Sequence, residues 1–136
     1  MSSRDHNLAT VQTIYAAFGR GDVPTILGTL SDDVDWETGG LDHGIPWLRP
    51  GRGRQAVVRF FESLGALEFE HFEPHTLLAD DRTVVALCHL RLRVKATGKT
   101  IVESSEPHIW TFGPDGRVAA FRHAADTAQH RDALRA

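Results

Sequence analysis

Three titratable residues in the second half of the chain have the types and spacing needed for proton transfer. Glu106 and His108 stand two residues apart, so they share one face if this segment is a β-strand. A Gly-Pro-Asp-Gly turn at residues 113–116 predicts a hairpin, and regular pairing then sets Glu106 opposite His123 and His108 opposite Phe121. A carboxylate beside an imidazole in a poorly solvated place can bring the histidine pKa near neutrality, where general acid–base catalysis is efficient.

The same pattern also has a purely structural explanation. A glutamate and a histidine paired across a sheet can be a satisfied polar pair at a rim, with no part in chemistry. The catalytic interpretation requires unbroken alternation, because a one-residue bulge near Pro107 would turn Glu106 to the opposite face. The sequence therefore predicts a catalytic trio that depends on strand register.

Large apolar side chains spread along the chain are candidates to line a ligand pocket. They are Tyr15, Phe18, Trp36, Trp47, Phe61, Leu90, Trp110 and Phe121. Each of them could instead belong to the core. Trp36 and Trp47 flank a loop over residues 38–53 that is rich in glycine and proline yet holds large apolar groups, which predicts a lid folded over the pocket.

Other chemistry-bearing patterns are weaker. His71, Glu73 and His75 alternate like metal ligands, but a proline interrupts them and no third ligand partner is evident, so we expect surface residues. Cys88 lies in an apolar run and is expected in the core. The sequence has no Gly-rich phosphate loop and no nucleophile motif, so we expect neither a cofactor nor a metal.

The composition bounds the class of protein. With 136 residues, 41% of them hydrophobic, we expect one globular domain over residues 1–136. A formal charge of -3 argues against nucleic acid as a partner. No apolar run could cross a bilayer, and the polar first seven residues do not resemble a signal peptide. One cysteine permits no intrachain disulfide, so we expect a cytoplasmic protein.

Hydrophobic periodicity predicts helices in the first half of the chain and strands in the second. Apolar residues from Leu8 to Phe18 recur at helical spacing, Asp22 can cap a second helix, and a third helix follows a strand at residues 31–37. A run of antiparallel strands comes after residue 67. For residues 126–136 the sequence is compatible with either a short helix or a frayed tail. Such an order predicts an α+β domain with three helices on one face of a bent sheet.

Several stretches together are typical of one family. They are residues 15–18 (Tyr-Ala-Ala-Phe), 30–36 (Leu-Ser-Asp-Asp-Val-Asp-Trp), 50–57 (Pro-Gly-Arg-Gly-Arg-Gln-Ala-Val) and 108–112 (His-Ile-Trp-Thr-Phe). The chain resembles SnoaL-like proteins of the nuclear transport factor 2 and ketosteroid isomerase superfamily over about residues 5–130. The resemblance implies an α+β cone, with three helices packed on a strongly curved mixed or antiparallel sheet that encloses a pocket. It also implies that the face carrying His108 is concave and that the outer sheet face forms a homodimer.

The superfamily contains isomerases, cyclases, dehydratases, epoxide hydrolases and non-catalytic binders, so the resemblance leaves the activity open. Ketosteroid isomerases keep a tyrosine and two aspartates where this chain has Ile14, Thr38 and His108, so their machinery is not expected here. The resemblance implies a small, largely apolar ligand and favours a cofactor-independent isomerase, cyclase or dehydratase (a lyase). The alternative is a binding protein that performs no chemistry.

Overall fold

Three helices lie in the first half of the chain and a fourth lies at its end. The computed structural model describes residues 3–136. Helix α1 spans Ser3–Gly19, α2 Val23–Leu27, α3 Arg54–Ser63 and α4 Thr127–Leu134, and single 3₁₀ turns span Pro46–Leu48 and Leu64–Ala66. Within residues 126–136, where the sequence allowed either a helix or a frayed tail, the chain is thus helical over Thr127–Leu134. None of the helices in the described residues has the length and apolarity needed to cross a membrane.

Six strands form one open mixed sheet. They are β1 (Leu30–Trp36), β2 (Gly51–Arg52), β3 (Leu67–Ala79), β4 (Thr83–Val94), β5 (Thr100–Phe112) and β6 (Val118–His123). Their order across the sheet is β2-β1-β6-β5-β4-β3. Only the β1–β6 pairing is parallel among these strands. This architecture confirms the predicted α+β class.

Capping residues set the limits of the short helices. Asp22 precedes α2 and its carboxylate accepts a hydrogen bond of 3.2 Å from the Thr25 N–H. Gly21 takes a positive φ of 71° in the turn between α1 and α2, a conformation that glycine adopts without a steric penalty. Asp126 caps α4 in the same way, accepting from the Gln129 N–H at 3.2 Å.

Strand β4 shows how the sheet separates its two faces. Every second side chain from Val84 to Val94 is buried under the helices. The intervening side chains, among them Val85, Leu87 and His89, lie on the outer face as the alternation predicts. The inner face and the helices therefore enclose the core, and the outer face is left uncovered.

Bulges interrupt strands β5 and β6. In β5, Glu103 pairs with Leu90 and Glu106 with Cys88, so Ser104 and Ser105 together oppose the single residue between them. This bulge brings Glu103 and Glu106, three residues apart, to the same inner face. A second bulge lies in β6, because Phe112 pairs with Val118 but Thr111 pairs with Ala120.

Candidate functional site

One cavity opens between the helices and the inner face of the sheet. Its empty volume, including the open mouth, is about 660 Å³. Aromatic rings make up much of its wall: Tyr15, Phe18, Trp36, Phe60, Phe61, Phe69, Phe72, Trp110 and Phe121. All eleven residues that the sequence singled out contribute to this wall, with Trp47, Leu90, Glu106, His108 and His123 among them. Their contact with a ligand stays a prediction.

A hydrogen-bonded chain occupies one end of the cavity. The Glu106 carboxylate lies 2.7 Å from Nε2 of His108, and Nδ1 of His108 lies 2.9 Å from the Tyr15 hydroxyl. The Trp110 indole N–H donates to the same hydroxyl at 3.1 Å. Both ring nitrogens of His108 are therefore engaged. Within this series of hydrogen bonds, the Tyr15 hydroxyl is the group that can contact a ligand oxygen.

Glu37, which the sequence analysis did not select, is the partner of His123. Its carboxylate bonds Nδ1 of His123 and also accepts from the His123 backbone N–H at 3.3 Å. The predicted pairing of Glu106 with His123 is therefore wrong. The His123 ring still packs against the His108 ring, with centroids 4.7 Å apart, so two carboxylate–imidazole pairs meet at one point.

Register explains this correction. The predicted hairpin paired Phe112 with Arg117, whereas the structure pairs Phe112 with Val118 and, after the Ala119 bulge, His108 with His123. Each step shifts the register by one residue. Two such shifts change every partner but leave Phe121 and His123, which follow the bulge, on their predicted face, because strand side chains alternate with a period of two. Before the bulge the faces change, so that Val118 is buried and Arg117 is exposed.

The backbone at Glu37 explains why its carboxylate is in the site. Strand alternation places Glu37 on the face opposite to Trp36. Glu37 instead follows β1 with φ 60°, the one non-glycine residue of the described chain with positive φ. This conformation is costly for residues with a side chain, and here it turns a buried carboxylate towards His123.

A second buried cluster joins the chain from the other side. His130 of α4 is 2% exposed, and its Nε2 lies 3.7 Å from oxygens of both Glu103 and Glu106. The Trp47 indole N–H donates to Nδ1 of His130 at 2.9 Å. An indole can only donate, so Nδ1 carries the lone pair and Nε2 carries the hydrogen aimed at the two carboxylates.

The convergence of Glu103, Glu106 and His130 resembles a metal site, since their ligand atoms lie within 4.8 Å of one another. A metal on Nε2 would move the hydrogen to Nδ1, where it would face the Trp47 N–H. Histidine ligands normally direct that second nitrogen at an acceptor. The donors therefore fit an imidazole that faces two carboxyl groups electrostatically, at 3.7 Å, better than they fit a metal.

The protonation of the site follows from burial and from these contacts. Burial works against a charged Glu106, but the facing His108 and His130 outweigh it and hold the Glu106 pKa well below its usual range. Burial raises the pKa of Glu103, which sits beside the Glu106 charge. Burial likewise raises the Tyr15 pKa well above its ordinary value of 10.0, so the phenol keeps its proton and can donate.

His130 is subject to opposing influences. Burial lowers its pKa, whereas the carboxylates of Glu103 and Glu106 raise it and outweigh the burial. Trp47 acts against protonation, because its N–H needs an unprotonated Nδ1. The hydrogen bond to Trp47 thus opposes the protonation of His130 that the two acidic groups favour.

Sequence reasoning missed Glu37, Glu103 and His130 for different reasons. Glu37 leaves the strand alternation, Glu103 depends on a bulge, and His130 lies in the short C-terminal helix. A sequence signal existed only for His130, which stands three residues before Ala133, both of them on the buried stripe of α4.

The alternating histidines of β3 do not form one cluster. His71 and Glu73 meet His89 of β4 on the exposed outer face. His75 instead contacts the β5 bulge, with its Nε2 2.9 Å from Oγ of Ser105. The third member of the outer cluster therefore comes from the neighbouring strand.

Comparison with known structures supports the fold. A nuclear transport factor 2-like protein of unknown function from Burkholderia pseudomallei is 26% identical, with full coverage of both chains and a TM-score of 0.83. A candidate polyketide cyclase from Xanthomonas campestris is 20% identical over 98% of this chain and 100% of the other, with a TM-score of 0.75. A Mycobacterium tuberculosis protein in complex with estradiol-17β-hemisuccinate is 18% identical over 95% and 98% of the two chains, with a TM-score of 0.66.

These structures confirm the predicted nuclear transport factor 2-like fold. No curated protein matches the sequence significantly. The model of the SnoaL-like domain matches residues 11–121, which is most of the chain. The chain therefore belongs to the SnoaL-like domain family.

Proposed function

We propose that this chain binds a small, largely apolar carbonyl compound in its cavity and moves a proton next to the carbonyl without a cofactor. The observation that carries the proposal is the meeting of two carboxylate–imidazole pairs at the polar end of an aromatic cavity. The related candidate polyketide cyclase, and the apolar steroid part of the estradiol-17β-hemisuccinate bound by the Mycobacterium tuberculosis protein, are consistent with such a ligand.

His123 is the proposed base. Its Nδ1 is bonded to Glu37, and the ring lines the cavity, which leaves Nε2 to accept a proton from the ligand carbon. Glu37 stabilises the imidazolium that forms. This arrangement of a base oriented by a carboxylate is a common one in proton-transfer sites.

Tyr15 is the proposed acid. When the ligand binds, the Tyr15 hydroxyl hydrogen turns from Nδ1 of His108 to the carbonyl oxygen, which it protonates while the carbon–hydrogen electron pair moves to form the enol. Trp110 and His108 both contact this hydroxyl, and Glu106 supports His108 from behind. His108 thus acts through Tyr15, as a positioning residue.

The enol can then follow three routes. His123 returns its proton to another carbon in an isomerase, the enol carbon attacks a second carbonyl in a cyclase, or a hydroxide is lost as water in a dehydratase. In each route His123 gives up the proton that it took, to carbon, to the second carbonyl oxygen or to the departing hydroxide, and the enol oxygen returns its proton to Tyr15, so none of the routes requires an oxidant or a cofactor. The specific reaction among these three depends on the ligand.

Deuterium uptake tests the chemistry with the simple ketone 2-tetralone. In heavy water the wild-type chain should exchange the hydrogens beside the carbonyl faster than buffer does, as followed by proton NMR. His123→Gln should lower this rate by roughly 10²-fold, the usual contribution of a positioned base, with 2-tetralone binding retained. Tyr15→Phe should lower it as well, and His89→Gln on the outer face should not.

A second candidate function is binding without chemistry, favoured by the fact that both nitrogens of His108 are already engaged. In that case 2-tetralone shifts the NMR resonances of the cavity residues, but the hydrogens beside its carbonyl exchange for deuterium no faster than they do in buffer. That outcome would replace the enzymatic proposal with ligand sequestration.

We also propose a homodimer through the outer sheet face and a cytoplasmic location. The outer face carries the partly buried Val85 and Leu87 and the 42% exposed Val102, a mixed surface of the kind that symmetric dimers bury. Imaging of a tagged chain in its own cell tests the location.

A further inference from the structure

Among residues 3–136, the polar end of the cavity carries no cation other than its histidines. The described residues of the wall include no lysine and no arginine. Arg122 lies near His123 in sequence, but its side chain is exposed and bonds the Thr38 carbonyl at 3.3 Å, away from the cavity. Any positive charge next to a ligand must therefore come from an imidazolium.

The carboxylates around this end match the histidines in number. Glu37 faces His123, and Glu106 faces His108. His130 lies near both Glu103 and Glu106. With all three carboxylates ionised, full protonation of the three imidazoles would only bring the cluster to neutrality. In that state the cluster therefore offers no net positive charge to an anionic ligand.

The imidazoles of His108 and His123 each hydrogen-bond a carboxylate of their own. His108 is bound to Glu106 and His123 to Glu37. An anionic ligand would have to compete with a buried carboxylate for the same ring while losing its own hydration. The groups left for a ligand are a neutral hydroxyl on Tyr15 and one nitrogen of His123.

We propose that the site is selective for uncharged aromatic carbonyl compounds and excludes carboxylates and phosphates of the same shape. The preference for aromatic compounds follows from the wall, which is built of packed rings: the Trp36 and Phe121 centroids lie 4.4 Å apart and the Trp110 and Phe121 centroids 4.3 Å apart. This inference specifies the ligand class of the proposed function and rests on it.

A matched pair of probes tests the charge selectivity. The ketone 2-acetylnaphthalene and the anion 2-naphthoate share one ring system and one planar substituent, and differ in charge at neutral pH. Binding is followed by NMR shifts of cavity residues in the full-length chain. We expect the anion to bind at least about tenfold more weakly, which corresponds to about 1.4 kcal/mol.

Two variants show whether the carboxylates cause the difference. Glu37→Gln and Glu106→Gln each remove one negative charge. Each should therefore reduce the difference in binding affinity between the ketone and the anion. If Glu106→Gln does not fold, Glu37→Gln gives the result alone. Glu73→Gln on the exposed outer face is the control and should leave this difference unchanged.

The outcomes separate this inference from the proposed function. If 2-naphthoate binds as tightly as the ketone, or if neither variant reduces the difference in affinity, the charge selectivity is wrong although ligand binding stands. If the ketone causes no shift in the cavity at millimolar concentration, binding of apolar carbonyl compounds is itself overturned.

Discussion

Glu106 is the residue on which most of the buried polar contacts converge. It meets His108 at 2.7 Å and His130 at 3.7 Å, and it is 2% exposed. Removing one partner of such a group leaves the other buried without compensation. The stability of the fold and the order of the site therefore depend on the same carboxylate.

Acid should weaken the fold through Glu106. Its folded pKa lies below the ordinary 4.5, so the carboxylate stabilises the fold above about pH 4.5 and loses this effect as the pH falls further. Glu106→Gln should cost about 3 kcal/mol at pH 7, because it removes the charge that faces two imidazoles. Urea unfolding at neutral and acid pH measures both effects.

Glu73→Gln is the matched control for this measurement, because that carboxylate is exposed on the outer face. Its stability curve should follow the wild type at every pH. Equal losses for Glu106→Gln at pH 7 and at pH 3.5 would contradict the assignment of an ionised Glu106.

At the scale of elements, two segments outside the main sheet close the polar end of the cavity. The loop after β1 contributes Trp47, and α4 contributes His130. The loop also buries Ile45 and Leu48 next to Ala133 of α4. The Trp47–His130 hydrogen bond therefore joins the loop to the C-terminal helix, and His130 in turn faces the carboxylates of β5.

Trp47→Phe should test this link. The change keeps an aromatic ring but removes the N–H, so the unfolding free energy should fall by about 1–2 kcal/mol. The His130 pKa should rise, because nothing then requires an unprotonated Nδ1. NMR titration of the histidine rings measures that shift.

Trp36→Phe is the comparison for this change. Its indole N–H has no hydrogen-bond partner within the described residues, so its removal breaks no such bond. If the His130 pKa is unchanged in Trp47→Phe, or if it shifts equally in Trp36→Phe, then the Trp47 indole does not control the protonation of His130.

Alternation along the strands was the reliable part of the sequence. It predicted the faces of Glu106, His108, Trp110 and Phe121, because side-chain direction depends only on the parity of the residue number within a strand. It did not predict partners. Partners depend on bulges such as that at Ala119, and bulges arise from contacts between strands that a single sequence does not display.

For the molecule as a whole, the family pattern predicted the fold well and the site incompletely. Helices, strands and the apolar cavity follow from local periodicity and packing. Glu37 and His130 reach the site from the end of a strand and from the last helix, 93 residues apart in number, and only the folded chain brings them to the same end of the cavity. The single-domain organisation over residues 1–136 stays a prediction.

The proposed dimer is the prediction that belongs to the whole molecule. Sedimentation velocity of the wild type should give the mass of two chains. Val102→Asp should shift it to one chain, because a charge would then be buried in the interface. Leu41→Asp, in the exposed loop, is the control, and a wild type that sediments as one chain would refute the dimer.

Cys88 lies beside the hydrogen-bonded series of Glu106, His108 and Tyr15, with its sulfur 3.5 Å from Nδ1 of His108. Burial, with the nearby Glu106 charge, raises the pKa of the thiol to about 12. Oxidants and alkylating agents attack the thiolate, a form that this residue hardly populates. The histidine network thus adjoins the sole sulfur nucleophile of the chain without becoming sensitive to the redox state of its surroundings.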